Sequence, residues 1–323
     1  MLRPRVPIAI VAVLLAGALP AQTPRFRAES NVVLVPVLVE DGKGNPVYGL
    51  SADDFVLEDD RVPQTVHLDQ ATESEPVAVV IAVETGGRAM REFSRMRGIG
   101  AFSDLVLQQS NAEVAVVEFD SKPRLASGFT TDSDMIRKVM DNLQPGDQGV
   151  AILDAVSYSI KLLERVASKQ RVLLLVSETR DHSSRHTKVS DVVTAIGNSN
   201  TVVYALHFSP LLSQVLDTER GSNRDEWRLT PDLNAAAVAL GQAMRRNVTK
   251  TVASMTGGEY ELFSTRVQFE TLMTAFTNHL HSRYLLSFQP KEPHPGLHRL
   301  DVRLRDPHEQ RVLARTSYWA LGK

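Results

Sequence analysis

Apolar, largely β-branched runs recur through the middle of this chain without alternating: Val77–Val83, Glu113–Phe119, Arg171–Val176 and Thr201–Leu206. A strand with one wet face alternates polar and apolar residues, whereas a strand buried on both faces reads as a continuous apolar run. The stretches between these runs have helical spacing instead. Ile152, Val156, Ile160 and Leu163 form one apolar stripe, and Val189, Val192, Val193 and Ile196 a second that stops at Gly197-Asn198. Met90, Phe93, Met96 and Phe102 predict a helix after the first strand. Asp132 to Leu143 predicts a short one, capped by Thr131 or Asp132 and closed by Pro145-Gly146. Further on, the pattern predicts a helix from about Asn234 to Met255, a strand at Glu259–Phe263 and a last helix over Val267–Ser282. Strands alternating with helices imply an α/β fold: a doubly wound, mostly parallel sheet covered on both faces. Ligands of such sheets sit at the carboxyl ends of the strands, where the strand order reverses.

The flanks read differently. Asn31–Val39, the Gly/Asn/Pro turn at 41–46, Phe55–Leu57 and Gln64–Leu68 are strand-and-turn signals. The tail returns to strands at Tyr284–Phe288, Arg299–Leu304 and Arg311–Trp319. We therefore expect flanking β-sandwich segments from both termini, with residues 22–74 and 284–323 packing together around an α/β domain of residues 75–283. The acidic group Asp53, Asp54, Glu58, Asp59 and Asp60 lacks the ligand spacing of a calcium loop and reads as an exposed acidic edge.

Residues 1–21 carry Arg3 and Arg5, then the apolar run Ile8–Leu19, then small residues up to Ala21. That is the layout of a secretory signal peptide, and the apolar run falls short of the roughly 20 residues a membrane span needs. The expectation is an exported protein, periplasmic or secreted, with no stable membrane span after cleavage. The absence of cysteine excludes disulfides, thiol nucleophiles and thiolate metal sites. A formal net charge of -2 gives no bulk attraction for nucleic acid. The polar stretch Ser209–Pro231 reads as a long loop of the size that usually has a function.

The central region resembles a von Willebrand factor A domain, on Val79–Glu84 for the first strand and its acidic end, Gly149–Ala155 opening a helix, and Leu173–Glu178 closing a later strand. The flanking segments Val37–Leu50 with Asp53–Phe55, and Arg283–Pro290, are similar to the related proteins of acidobacteria. The resemblance implies a non-catalytic, protein-binding module. It also implies a divalent-cation adhesion site built from Asp-x-Ser-x-Ser, a Thr in a middle loop and a later Asp. Here those positions read Glu84, Thr85, Gly86, Gly87 and Arg88, then Val150, then Ser177-Glu178. A valine cannot ligate a cation, and Arg88 places a guanidinium where the ion belongs, suited to pair with Glu84 or Glu178. The expected rim, Glu84, Thr85, Gly86, Arg88, Val150, Ser177 and Glu178, is thus a degenerate site that uses no cofactor and binds a protein partner. The alternative is a magnesium- or manganese-dependent binder in which Glu84, Thr85, Ser177 and Glu178 keep a weak ion, with Asp181 as a further oxygen donor.

Other constellations are weaker. Glu84 and Glu178 could form the carboxylate pair of a glycosidase, but no aromatic-rich cleft accompanies them. His182 and His186 lie four apart in a Ser-rich loop, and His294 and His298 flank the Pro295-Gly296 turn; both pairs read as solvated loop histidines. No phosphate-binding loop and no nucleophile elbow is present.

Overall fold

The computed structural model describes residues 32–69, 76–87, 89, 92, 104, 106–107, 112–167, 170–208 and 233–320. The expected signal peptide, Arg88, most of the helix expected after the first buried strand, and the segment 209–231 lie outside the described residues. The described residues all fall within one compact unit, Asn31–Lys323.

The chain runs through β1 (Val33–Glu40), a 3-10 turn at Ala52–Asp54, β2 (Phe55–Asp59), β3 (Val62–Pro63), β4 (His67–Asp69), β5 (Val77–Glu84), β6 (Ala112–Phe119) and β7 (Pro123–Thr130). Helices α1 (Ser133–Asp141) and α2 (Ile152–Leu163) lead to β8 (Gln170–Ser177), α3 (Val189–Asn198) and β9 (Thr201–Phe208). Then come α4 (Leu233–Arg246), α5 (Val248–Thr256), β10 (Tyr260–Phe263), α6 (Arg266–Leu280), β11 (Tyr284–Phe288), β12 (Gly296–Leu304), β13 (Arg311–Ala314) and β14 (Ser317–Ala320).

The central sheet has the order β10-β9-β8-β5-β6-β7. All its neighbours pair in parallel except β6 and β7. Strand β5 shows why the runs do not alternate. Val77, Val79, Ile81 and Val83 enter one core with Ile136 of α1 and Phe269, Met273 and Phe276 of α6. Ala78, Val80 and Ala82 enter a second core with residues of α2 to α5. Both faces are dry, so every position from Val77 to Val83 is apolar. Each buried Val or Ile contributes about 1.5–3 kcal/mol relative to an exposed one.

Two antiparallel four-stranded sheets, β13-β1-β11-β4 and β14-β12-β2-β3, draw strands from both ends of the chain. Val35, Val37 and Val39 of β1 and Leu286 and Phe288 of β11 meet Phe55 and Leu57 of β2 and Leu300, Val302 and Leu304 of β12 between them. The α/β fold with flanking β-sandwich segments from both termini is therefore the observed architecture.

Two expectations need correction, and one strand was not anticipated. Strand β7 has no clear signature, because an antiparallel edge strand containing Ser127 and Gly128 lacks the apolar run of its neighbours. The helix expected over Asn234–Met255 is two helices. Asn247 is extended (φ -153°), its side-chain oxygen accepts from the Lys250 N–H at 2.9 Å, and its amide donates to the Tyr260 hydroxyl at 2.8 Å. An N-cap that also ties down a second element overrides helical continuity. The strand expected over Arg311–Trp319 is split between the two small sheets at Arg315-Thr316.

The cause of that split is Arg315, 4 % exposed, whose guanidinium donates to the carbonyls of Ile196 (3.0 Å), Gly197 and Ser317 (2.6 Å). It caps the C-terminal end of α3, where free carbonyls and the helix dipole favour a cation. Arg315→Met should lower unfolding stability by about 2 kcal/mol, the worth of a charge-assisted buried hydrogen bond. Urea unfolding measures it, and a change near zero would show that the cap contributes little.

Candidate functional site

The carboxyl ends of β5, β6 and β8 lie side by side, with Glu84 level with Phe119 and Val83 level with Val176. The order reverses between β5 and β8, since β6 lies on one side of β5 and β8 on the other. That is the crevice where doubly wound sheets bind ligands, and the expected rim residues Glu84, Thr85, Gly86, Val150, Ser177 and Glu178 gather there.

Glu84 ends β5 and is fully buried. One carboxylate oxygen, Oε2, accepts from the Ser177 hydroxyl at 2.8 Å and from the Glu178 N–H at 2.8 Å. The other, Oε1, is buried with no hydrogen-bond partner among the described residues. Burial pushes the carboxyl up to about 8. The two hydrogen bonds pull the other way, and the neighbouring Glu178 charge adds to the rise. Burial thus favours the protonated form of Glu84 at neutral pH.

The oxygens that would ligate an ion are directed elsewhere. The Thr85 hydroxyl donates to the Phe119 carbonyl at 3.2 Å, and the Ser177 hydroxyl donates to Glu84. Glu178 lies 3.2 Å from His182 Nε2. Asp181 accepts from the Leu153 N–H at 2.8 Å and from the Ser184 N–H at 3.1 Å. It thereby caps α2 from a different segment, because the N-cap residue Ala151 has no side chain able to do so. Val150, 1 % exposed, sits at the middle-loop position and offers no ligand atom.

The backbone has closed over the rest. Gly146 N donates to the Thr85 carbonyl (2.8 Å) and Gly87 N to the Asp147 carbonyl (3.1 Å). A Cβ on Gly86 would run into the Gly149 carbonyl and stand 3.0 Å from Asp120 Cα. Gly87 has φ +51°, and a Cβ there would stand 2.8 Å from Val150 Cγ2. A hard cation needs several converging oxygens. Among the described residues, one Glu84 oxygen is left without a partner at this rim.

What the rim does offer is a stitched, polar frame. Asp120, after β6, takes two hydrogen bonds from Arg124 (2.9 and 2.8 Å), which hold its carboxyl below the ordinary range although burial works against them. Asp147 accepts from the Ser121 N–H at 3.0 Å and the Gly149 N–H at 2.7 Å. Val150 N donates to the Ser183 hydroxyl (3.1 Å), and the Val150 carbonyl accepts from His182 N (2.9 Å). Sequence reasoning missed Asp120 and Asp147. Their signal was position alone, each following a β-strand or turn at the same sheet edge. His182 is exposed in its loop as expected, at the edge of this frame.

Among known protein families, the model of the von Willebrand factor type A domain matches residues 83–180. No curated protein matches the chain. Similar solved structures include the von Willebrand factor domain of a type V pili tip protein from Porphyromonas gingivalis, 17% identical over 37% of this chain and 44% of that one, with a TM-score of 0.32. Proximal thread matrix protein 1 from the mussel byssus is 13% identical over 69% of this chain and 49% of that one, with a TM-score of 0.44. A von Willebrand factor type A protein from Catenulispora acidiphila is 11% identical over 92% of this chain and 75% of that one, with a TM-score of 0.46. The chain spans about half or less of the length of the first two. Residues 83–180, which hold Glu84, Val150 and Ser177 at one edge of the doubly wound sheet, thus match the von Willebrand factor type A domain.

Proposed function

We propose that this protein is an exported, non-catalytic interaction module that engages a protein partner through the rim around Glu84–Arg88, Val150 and Ser177-Glu178, without an ion. The carrying observation is the closed contact of Gly86 on Gly149, which leaves no room for a ligand-bearing side chain at that position. Export rests on the signal-like residues 1–21. Among the described residues no helix is long and apolar enough to cross a membrane. A glycosidase pair is disfavoured because no aromatic-rich cleft accompanies Glu84 and Glu178.

The unpartnered Glu84 Oε1 is the one observation favouring the metal-dependent alternative with Glu84, Thr85, Ser177 and Glu178. Thermal unfolding in millimolar magnesium or manganese against chelator separates the two, since an ion that binds only the folded state raises the midpoint. No saturable shift is expected with either ion. A saturable rise would replace the ion-free reading with the metal-dependent one.

A further inference from the structure

The β2–β3 turn and the β11–β12 connection bring two histidines and two aspartates together, far along the chain from the rim residues. His298 is 1 % exposed, and its Nδ1 stands 3.1 Å from Asp59 Oδ1 and 3.0 Å from Asp60 Oδ2. His294 Nε2 stands 3.2 Å from the same Asp60 Oδ2. For His298, Asp59 and Asp60 the remaining polar atom is held from behind. His298 Nε2 bonds the His294 carbonyl at 2.7 Å, Asp59 Oδ2 accepts from the Tyr318 hydroxyl at 2.8 Å, and Asp60 Oδ1 accepts from the Arg299 N–H at 3.0 Å. One ligand atom each from His298, His294 and Asp60 lies within 4.8 Å of the other two.

We infer that Asp60, His294 and His298 form a binding site for a zinc-type divalent cation that staples the β2–β3 turn to the start of β12, with the fourth position left to water. Ligands about 2.0 Å from a tetrahedral ion lie about 3.3 Å from one another, close to the 3.2 Å and 3.0 Å that separate Asp60 Oδ2 from His294 and His298. Two imidazoles with a carboxylate suit zinc better than magnesium or calcium, which take oxygens. The groups behind the ligands are the outer partners that metal sites use to orient histidine and carboxylate. With its Nε2–H on a carbonyl, His298 presents Nδ1 to the ion, which displaces the proton there. The rings of His294 and His298 now stack at 3.9 Å. His294, with 42% of its side chain exposed, turns about its Cβ–Cγ bond to present its lone pair, and so marks the side from which the ion enters. A second cluster, Glu40, Glu259 and His279, is a poorer candidate, because Arg311 and Arg283 stand within 3.8 Å and 3.7 Å of its carboxylates.

Isothermal titration of the tag-free, chelator-treated full chain with zinc tests the site, with cobalt absorbance reporting the geometry. The expected result is one saturable equivalent with a tetrahedral cobalt spectrum. His294→Ala and Asp60→Asn should each weaken binding by more than about a hundredfold. Asparagine tolerates the left-handed backbone of Asp60 (φ 48°), and His294 lies at the surface, so both variants keep the fold. Absence of saturable zinc binding, or zinc binding unchanged in both variants, would overturn the assignment.

Discussion

Glu84→Gln is expected to make the folded protein more stable in alkali, by on the order of 5 kcal/mol, while changing little in acid. The carboxyl titrates at an ordinary 4.5 when unfolded and at about 8 when buried at the end of β5. A folded value above the unfolded one means that the unfolded state loses its proton first. The stability associated with the group is complete below about pH 4.5 and falls as pH rises, until the folded carboxyl also ionises near 8. At about 1.4 kcal/mol per pKa unit, the whole loss is of the size stated. Glutamine keeps an acceptor for Ser177 and the Glu178 N–H and has nothing to ionise. Urea unfolding of both proteins at pH 5 and pH 9 gives the comparison. Parallel pH profiles would mean that Glu84 is ionised in the folded state at neutral pH. Its unpartnered oxygen would then need a cation, which would favour the metal-dependent alternative.

Gly86→Ser, the substitution that restores the first hydroxyl of the adhesion motif, is expected to cost at least about 3 kcal/mol and to create no magnesium or manganese site. The obstacle is backbone. The new Cβ meets the Gly149 carbonyl, and that segment is held by Gly146 N on Thr85, Gly87 N on the Asp147 carbonyl and Ala151 N on Asp120. Packed backbone cannot yield as a flexible side chain does, so overpacking here lies at the costly end of its usual range. Denaturant unfolding, followed by magnesium titration of whatever folds, reads both parts. A stable variant that binds magnesium would show that the loop opens readily and that the site is only one side chain short of working.

Much of the architecture was legible in the chain because burial on both faces leaves a plain record. The eight buried residues of β5, Val77–Glu84, could not be a half-wet strand. The stripe Ile152, Val156, Ile160, Leu163 could only be a helix facing a sheet. The rim positions were legible for the same reason, since Glu84, Val150 and Ser177 directly adjoin or end those elements. Even the inward direction of His298 was readable, though our sequence reading placed it in solvent. It shares its face of β12 with Leu300, Val302 and Leu304, as Asp59 shares one of β2 with Phe55 and Leu57.

Other features were not written locally. Asn247 breaks a helical pattern only because Tyr260 lies near enough to take its amide, and Arg315 divides a strand only because the end of α3 presents carbonyls to it. Whether Glu84 is an ion ligand or a buried, protonated acid depends on the approach of residues 146–151 to Gly86. Residue type and spacing determine which faces are buried, because the hydrophobic effect acts on each side chain along its own element. Hydrogen-bond partners, pKa values and the room left beside a glycine depend on groups far away in the chain, and those only the tertiary structure brought together.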